Sequence, residues 1–189
     1  MRAFPAKPDM HTAFIFGCNG LPLHSSKTTK GMDSKAASER MLFEELLEKA
    51  RRFCAYRDRC KKETADRLYQ LGASRDLTAK ILDILQKEGF VDEQRFASAY
   101  ARGKFEHNHW GRTRIKQELA FRQMDENTIA TALFEIDENK YLEVLSEIAA
   151  KKMKSLKGQP DFAARGKTAA HCIRKGFEPD LVWKVVNKL

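Results

Sequence analysis

From Glu39 onward the apolar residues recur at helical spacing. Phe43, Leu46, Leu47, Ala50, Phe53 and Cys54 fall at i, i+3, i+4 intervals and predict one long amphipathic helix. A short helix over 61–71 follows, with Ala65 and Leu68 inward and Gly72 ending it. Ser74 is placed to cap a third, whose inner side carries Leu77, Thr78, Ile81, Leu82 and Leu85, and Gly89 stops it. Asp92 caps a fourth, with Phe96, Ala97, Tyr100 and Phe105 inward. Gly111 breaks that segment and opens a fifth, bearing Ile115 and Leu119. Asp125 precedes a sixth with Ile129, Ala132, Leu133 and Ile136, and Tyr141, Leu142, Leu145, Ile148 and Ala149 mark a seventh. Pro160 begins an eighth, which holds Cys172 and Ile173 and stops at Gly176. Pro179, at a first turn, opens the last, with Leu181, Val182, Val185, Val186 and Leu189. No stretch alternates at the period of a strand, so the expected class is all-α.

The rhythm is long helix, short helix, short helix, and it recurs. With Leu68, Leu119 and Cys172 in register, Ala73, Met124 and Phe177 coincide, then Thr78, Ile129 and Val182, then Leu82, Leu133 and Val186. The turns at Gly72, Gln123 and Gly176 match as well. A unit this small buries little surface alone, and stacked units share cores. The expectation is three tandem three-helix repeats, at 39–91, 92–136 and 137–189, forming an elongated, curved body. Residues 1–38 show no sustained period and gather Pro5, Pro8, Pro22 and a polar run, so they read as a disordered tail. Met32 and Met41 both offer alternative starts beyond much of it.

Composition sharpens this picture. Ten glycines and five prolines in 189 residues leave little room for long loops. Charged residues make up 32%, and 35 basic against 26 acidic side chains give a net charge of +9. Such a chain is drawn to polyanions. Residues 92–136 balance at seven basic and seven acidic, whereas 137–189 hold eleven basic and seven acidic, a net of +4. The four cysteines are scattered without a CxxC pair, as expected for reduced thiols in a cytoplasmic protein. No apolar run approaches membrane-spanning length.

Candidate chemistry is sparse. Arg165-Gly166-Lys167-Thr168 resembles the end of a phosphate-binding loop, but Asp161 occupies the place of the required first glycine and no strand precedes it. His107 and His109 lack cysteine or carboxylate neighbours at metal-ligand spacing. Glu44-Glu45 and Asp125-Glu126 read as helix surface or helix N-terminal charge. No catalytic residue, metal or cofactor is expected. The basic groups carry more. One cluster is Arg57, Arg59, Lys61, Lys62 and Arg67, and a second is Lys104, Arg112, Arg114, Lys116 and Arg122. A third is Lys151, Lys152, Lys154, Lys157, Arg165, Lys167, Arg174 and Lys175. Each lies on the second helix of its repeat or at the junction before it, as one extended ligand would require. Trp110 and Phe105 are expected to pack at the bend between two helices, leaving the cations to make contact.

Several boxes together resemble the RecX family of bacterial recombination regulators over 42–189. Arg57-Asp58-Arg59-Cys60-Lys61-Lys62-Glu63 with Arg67-Leu68 is similar to the family's arginine-rich entry and EL..KL signature. Gly89-Phe90-Val91-Asp92 with Phe96, Ala97 and Tyr100 is similar to its GLIDD..FA..Y box. Trp110-Gly111, Ile115 and Glu118-Leu119 are similar to KxG..RI..EL, and Arg174-Lys175-Gly176-Phe177 with Val182 to RRGF....I. Cys60 stands where the family has a capping serine, and Thr64 replaces a leucine. The resemblance implies a cytoplasmic, non-enzymatic, monomeric modulator of homologous recombination and DNA repair. Its partner would be the RecA–single-stranded-DNA filament, whose ATPase, strand exchange and coprotease activities it restrains. The alternative is a basic helical nucleic-acid-binding module with no recombinase partner. Binding to DNA alone is expected to be weak and sequence-independent, with no membrane partner.

Overall fold

The protein's computed structural model describes residues 30–189, with side chains from residue 35 onward. Among these residues all regular structure is helical: α1 (Lys30–Tyr56), α2 (Lys61–Gln70), α3 (Arg75–Lys87), α4 (Glu93–Asn108), α5 (Arg112–Phe121), α6 (Glu126–Phe134), α7 (Glu138–Lys154), α8 (Asp161–Arg174) and α9 (Pro179–Val186). The expected start at Glu39 needs correction, because α1 reaches back to Lys30, into the segment read as tail. Residues 35–40 are exposed and present no apolar stripe, so periodicity could not reveal them. Lys35, Ala36, Ala37, Glu39 and Arg40 are good helix formers that extend a helix without a buried face. The remainder of the expected tail, residues 1–29, lies outside the described residues, as does Cys18.

The chain forms two compact units. The first comprises residues up to Arg57 together with Thr64–Val91, and the second Asp58–Glu63 together with Asp92–Leu189. In the first, Leu46, Leu47, Ala50 and Cys54 of α1 bury against Leu68, Ile81 and Leu85. Thr64, not Ala65, takes the inward place on α2, with its hydroxyl 3.6 Å from Cys54 Sγ. Arg51 closes the far end of this unit on Glu88 with two side-chain bonds. In the second unit one continuous core runs through α4–α9, from Phe96 and Phe105 by way of Ile115, Leu119 and Tyr141 to Phe177 and Val186. Residues 92–136 and 137–189 thus share a single core, as stacked small repeats must.

Each second helix ends in the same way. Gly72, Gln123 and Gly176 carry φ of +88°, +61° and +93°. The N–H of the following residue then donates back to the carbonyl of Leu68, Leu119 or Cys172, at 3.0, 3.3 and 3.3 Å. This six-to-one bond satisfies a carbonyl that the helix end leaves open. The Ser74 and Asp125 side chains accept from the Leu77 and Thr128 amides at 3.3 and 2.9 Å, restarting the chain as the next helix. The first three rungs of the repeat register are buried in all copies. The fourth differs. Val186 is buried, but Leu82 and Leu133 are only half-buried, and Ile81 and Ala132 one residue earlier take the core position. Adjacent helical positions are about 100° apart, so a modest roll of a third helix exchanges which neighbour points inward.

The bend after α4 also differs from expectation. His109, not Gly111, terminates the helix, with left-handed φ of +53°. Gly111 instead starts α5, with its backbone pressed against Gly176, where any Cβ would overlap the Gly176 carbonyl. The Gly111 and Thr113 amides donate to Lys175 O and Gly176 O at 2.9 and 3.0 Å. Beside this seam the Arg112 amide donates to Tyr141 Oη at 3.0 Å, and that hydroxyl donates to Glu178 Oε2 at 2.6 Å. Burial, then its bond to the Glu178 carboxylate, push the Tyr141 phenol well above its ordinary value. Phe105, Tyr141 and Phe177 pack in sequence with their rings tilted by 33° and 45°, centroids 5.6 and 5.1 Å apart.

Candidate polyanion-binding surface

Helix α7 ends in Lys151, Lys152 and Lys154, and cations at a helix C-terminus are favoured by the partial negative charge there. Helix α8 ends likewise in His171 and Arg174, with Lys175 as its C-cap. The two ends lie side by side because Leu145 and Ala149 of α7 share a core with Ala169 and Cys172 of α8. Between them runs a groove of about 440 Å³ lined by His109, Glu147, Ile148, Lys151, Lys152, Ser155, His171 and Lys175. Lys151, Lys152 and Arg174 have no carboxylate partner among the described residues. Burial, then the charges of Lys152, Lys175 and Arg174, hold the His171 imidazole below its ordinary value. The groove therefore carries an excess of positive charge, with Glu147 as its one carboxylate and Lys175 Nζ donating to Asn108 O at 3.5 Å.

The other expected site residues are placed quite differently. Of the second cluster, Lys116 alone is exposed. Arg112 donates to Ile136 O at 3.3 Å and Glu138 Oε2 at 2.7 Å, and its guanidinium lies 4.2 Å over the Tyr141 ring. Arg114 stacks on Trp110 at 3.9 Å, and Lys104 lies 4.8 Å from the same ring and 5.3 Å from Tyr100. Arg122 is bound to Glu118 at 2.9 Å, approaches Glu63 at 3.7 Å and covers Tyr100 at 4.7 Å. Trp110 is thus half-buried against the core and flanked by cations.

The first cluster is split between the units. Arg57 and Arg67 belong to the first unit and are exposed, with Arg67 close to Gln70. Arg59, Lys61 and Lys62 belong to the second. There Arg59 pairs with Glu63 at 3.3 Å, Lys61 with Glu93 at 3.1 Å, and Lys62 sits 5.8 Å over Phe121. Cys60, buried beside them, accepts the Glu63 amide on its sulfur at 3.4 Å, so a weak cap replaces the hydroxyl of a serine. Burial pushes its thiol up, which keeps it protonated. In the third cluster Lys154 and Lys157 are exposed, Lys167 bonds Gln159 at 2.8 Å, and Arg165 pairs with Asp161 at 3.0 Å. The stretch 165–168 lies inside α8, with Thr168 buried, so it forms no loop that could ring a phosphate with amides.

Sequence reasoning found the cations but could not separate those consumed within the fold from those left over. It also missed that His109 and His171 join one groove, since the two are far apart in sequence and only the packing of the second unit brings them together. Among the described residues no group of His, Cys, Asp and Glu could hold a metal ion, and no helix is long and apolar enough to cross a membrane.

Similarity to known proteins agrees with this architecture. Family models described as the second and third three-helix domains of RecX match residues 92–133 and 139–186. The chain is 25% identical over 191 residues to a regulatory protein RecX of Oceanobacillus iheyensis, covering 98% of this chain and 70% of that one. It is 25% identical over 141 residues to the regulatory protein RecX of Clostridioides difficile, covering 75% and 66%. For that of Clostridium tetani the values are 29% over 130 residues, covering 68% and 59%. Two crystal structures share the fold. One, of a regulatory protein RecX, has a TM-score of 0.78 at 18% identity, covering 88% of this chain and 82% of that one. The other, of RecX from Lactobacillus salivarius, has 0.74 at 21% identity, covering 79% and 97%.

Proposed function

Because the chain belongs to the RecX family of regulatory proteins, we propose that it modulates the RecA recombinase in the cytoplasm by binding the RecA–single-stranded-DNA filament. It acts by occupancy and catalyses no reaction, slowing the filament's ATPase and with it strand exchange and coprotease activity. The observation that carries this reading is the excess of positive charge at the ends of α7 and α8, on a helical-repeat scaffold of the RecX kind. A polyanionic filament is a partner such a surface attracts. The test is RecA ATPase on single-stranded DNA with substoichiometric protein added. Slower hydrolysis together with co-sedimentation of the protein with filaments is expected. Unchanged hydrolysis with no filament binding refutes the reading.

A second reading, a nucleic-acid-binding module without a recombinase partner, is favoured by the same groove. Tight, sequence-selective binding to duplex DNA with no effect on RecA would establish it.

A further inference from the structure

We infer that the groove between the ends of α7 and α8 is a seat for the phosphodiester backbone of single-stranded nucleic acid, and that His171 makes its occupancy dependent on pH. Three lysines supply the charge: Lys151 and Lys152 from α7, and Lys175 from the turn after α8. Lys154 and Lys157 follow along the end of α7 and the turn after it, and Arg174 lies near His171, all exposed.

The chemistry of the lining selects the ligand. Cores of protein–protein interfaces are apolar and aromatic and are depleted in lysine. Here the one large apolar lining residue is Ile148, and the aromatic character comes only from His109 and His171. Lysine ammonium groups match a chain of negative charges and do not demand one rigid geometry. The site is a concavity of about 440 Å³ that can receive a strand's backbone, whereas reading a duplex calls for an element that projects into its major groove.

The pH dependence comes from the neighbours. The groups facing the His171 imidazole are Lys151, Lys152 and Glu147 of α7, Arg174 and Lys175 of its own helix end, and His109 from the end of α4. Glu147 is the one carboxylate among them. Burial and the surrounding cations hold the His171 imidazole below its ordinary value. A phosphate seated among those cations reverses the local potential and favours the imidazolium, which adds a further charge-assisted donor. Binding therefore takes up a proton, and affinity rises as pH falls toward and below neutrality.

This inference deepens the filament reading, and an assay without RecA separates the two. Anisotropy of a fluorescent oligothymidylate is titrated with the full protein across a range of salt. Three groove cations predict a log–log salt slope steeper than about −2, since each phosphate contact on a single strand contributes about −0.7. The triple variant Lys151→Gln, Lys152→Gln, Lys175→Gln should lose about 2 from the magnitude of that slope. The matched variant Lys80→Gln, Lys184→Gln, Lys188→Gln should change it far less. On the unmodified protein, the His171 ring resonance should titrate at higher pH with oligothymidylate present than without it, a readout that needs no variant to fold. An unchanged salt slope in the triple variant, an unmoved His171 titration, equal affinity for duplex, or equal competition by polyglutamate overturns the proposal. Loss of RecA inhibition with strand binding intact would instead count against the filament reading alone.

Discussion

Replacing Gly111 or Gly176 by alanine tests the seam of the second unit. On local grounds Gly111→Ala should be nearly neutral. Its φ of −76° suits any residue, so the entropy gained by restricting the unfolded chain and the weaker N-cap propensity of alanine offset each other to within about 1 kcal/mol. In the folded chain, however, the new methyl overlaps the Gly176 carbonyl, and both partners are backbone that cannot swing aside as a side chain would. Relief requires moving α5 away from the turn after α8, which lengthens the 2.9 and 3.0 Å bonds to Lys175 O and Gly176 O. Overpacking costs about 1–3 kcal/mol and each weakened bond about 1 kcal/mol, so a loss of about 2–4 kcal/mol is expected. Gly176→Ala meets two penalties. It must hold φ of +93°, and its Cβ would lie 2.7 Å from the Arg114 amide nitrogen and nearer still to Arg114 Cβ. Gly72→Ala is the control, with a similar φ of +88° but open space where the methyl goes, so only the backbone strain of about 1 kcal/mol applies. Denaturation followed by circular dichroism reads both units and so scores Gly72→Ala of the first, while the fluorescence of Trp110 and Trp183, both in the second unit, isolates Gly111→Ala and Gly176→Ala. Gly111→Ala that is neutral or stabilising, or Gly176→Ala no worse than Gly72→Ala, refutes the account of the seam.

Tyr141→Phe removes the hydroxyl that links the Arg112 amide to Glu178 while keeping the ring packing, and should cost the second unit about 1–3 kcal/mol in the same assay. Charge reversal separates binding cations from structural ones. Arg112→Glu should destabilise the second unit by breaking its bonds to Ile136 O and Glu138, whereas Lys116→Glu should leave the melt unchanged, and circular dichroism on heating checks both. Acid should weaken the second unit in part through Asp125 and Glu106. Bonds from the Thr128 hydroxyl and amide hold the Asp125 carboxyl below its ordinary value, and Lys140 does the same for Glu106. A carboxylate depressed in the folded state contributes stability above its unfolded pKa and loses it as pH falls through the folded one. Asp125→Ala should therefore flatten the acid limb of a stability-against-pH curve, and an unchanged limb contradicts the assignment.

Much of the architecture was legible in the chain because helices declare themselves locally. Most inward residues of α3–α7 and α9, the capping Ser74, Asp92 and Asp125, and the turns at Gly72, Gln123 and Gly176 follow from spacing and from the few residue types those positions accept, whereas on α8 the small residues Ala164, Thr168 and Ala169 are buried unannounced and Ile173 is exposed. The beginning of α1 was not legible, since residues 35–40 bury nothing and leave no periodic trace. The candidate surface was legible only as a list of cations. Arg112, Arg114 and Arg122 look the same in sequence as Lys151, Lys152 and Arg174, yet the former are spent on Glu138, Trp110 and Glu118 and the latter are not.

What the sequence alone determined, then, is the helical class, the threefold rhythm, the positive balance of 137–189 and the resemblance to a family of regulators, all of which depend on neighbours along the chain. Only the tertiary structure decided that Gly111 is needed for Gly176, that Tyr141 joins α5 to the start of α9, and that His109 meets His171 in one groove. Those pairings join residues far apart in sequence, and a local pattern carries no term for a contact that exists only once separate helices have packed on one core.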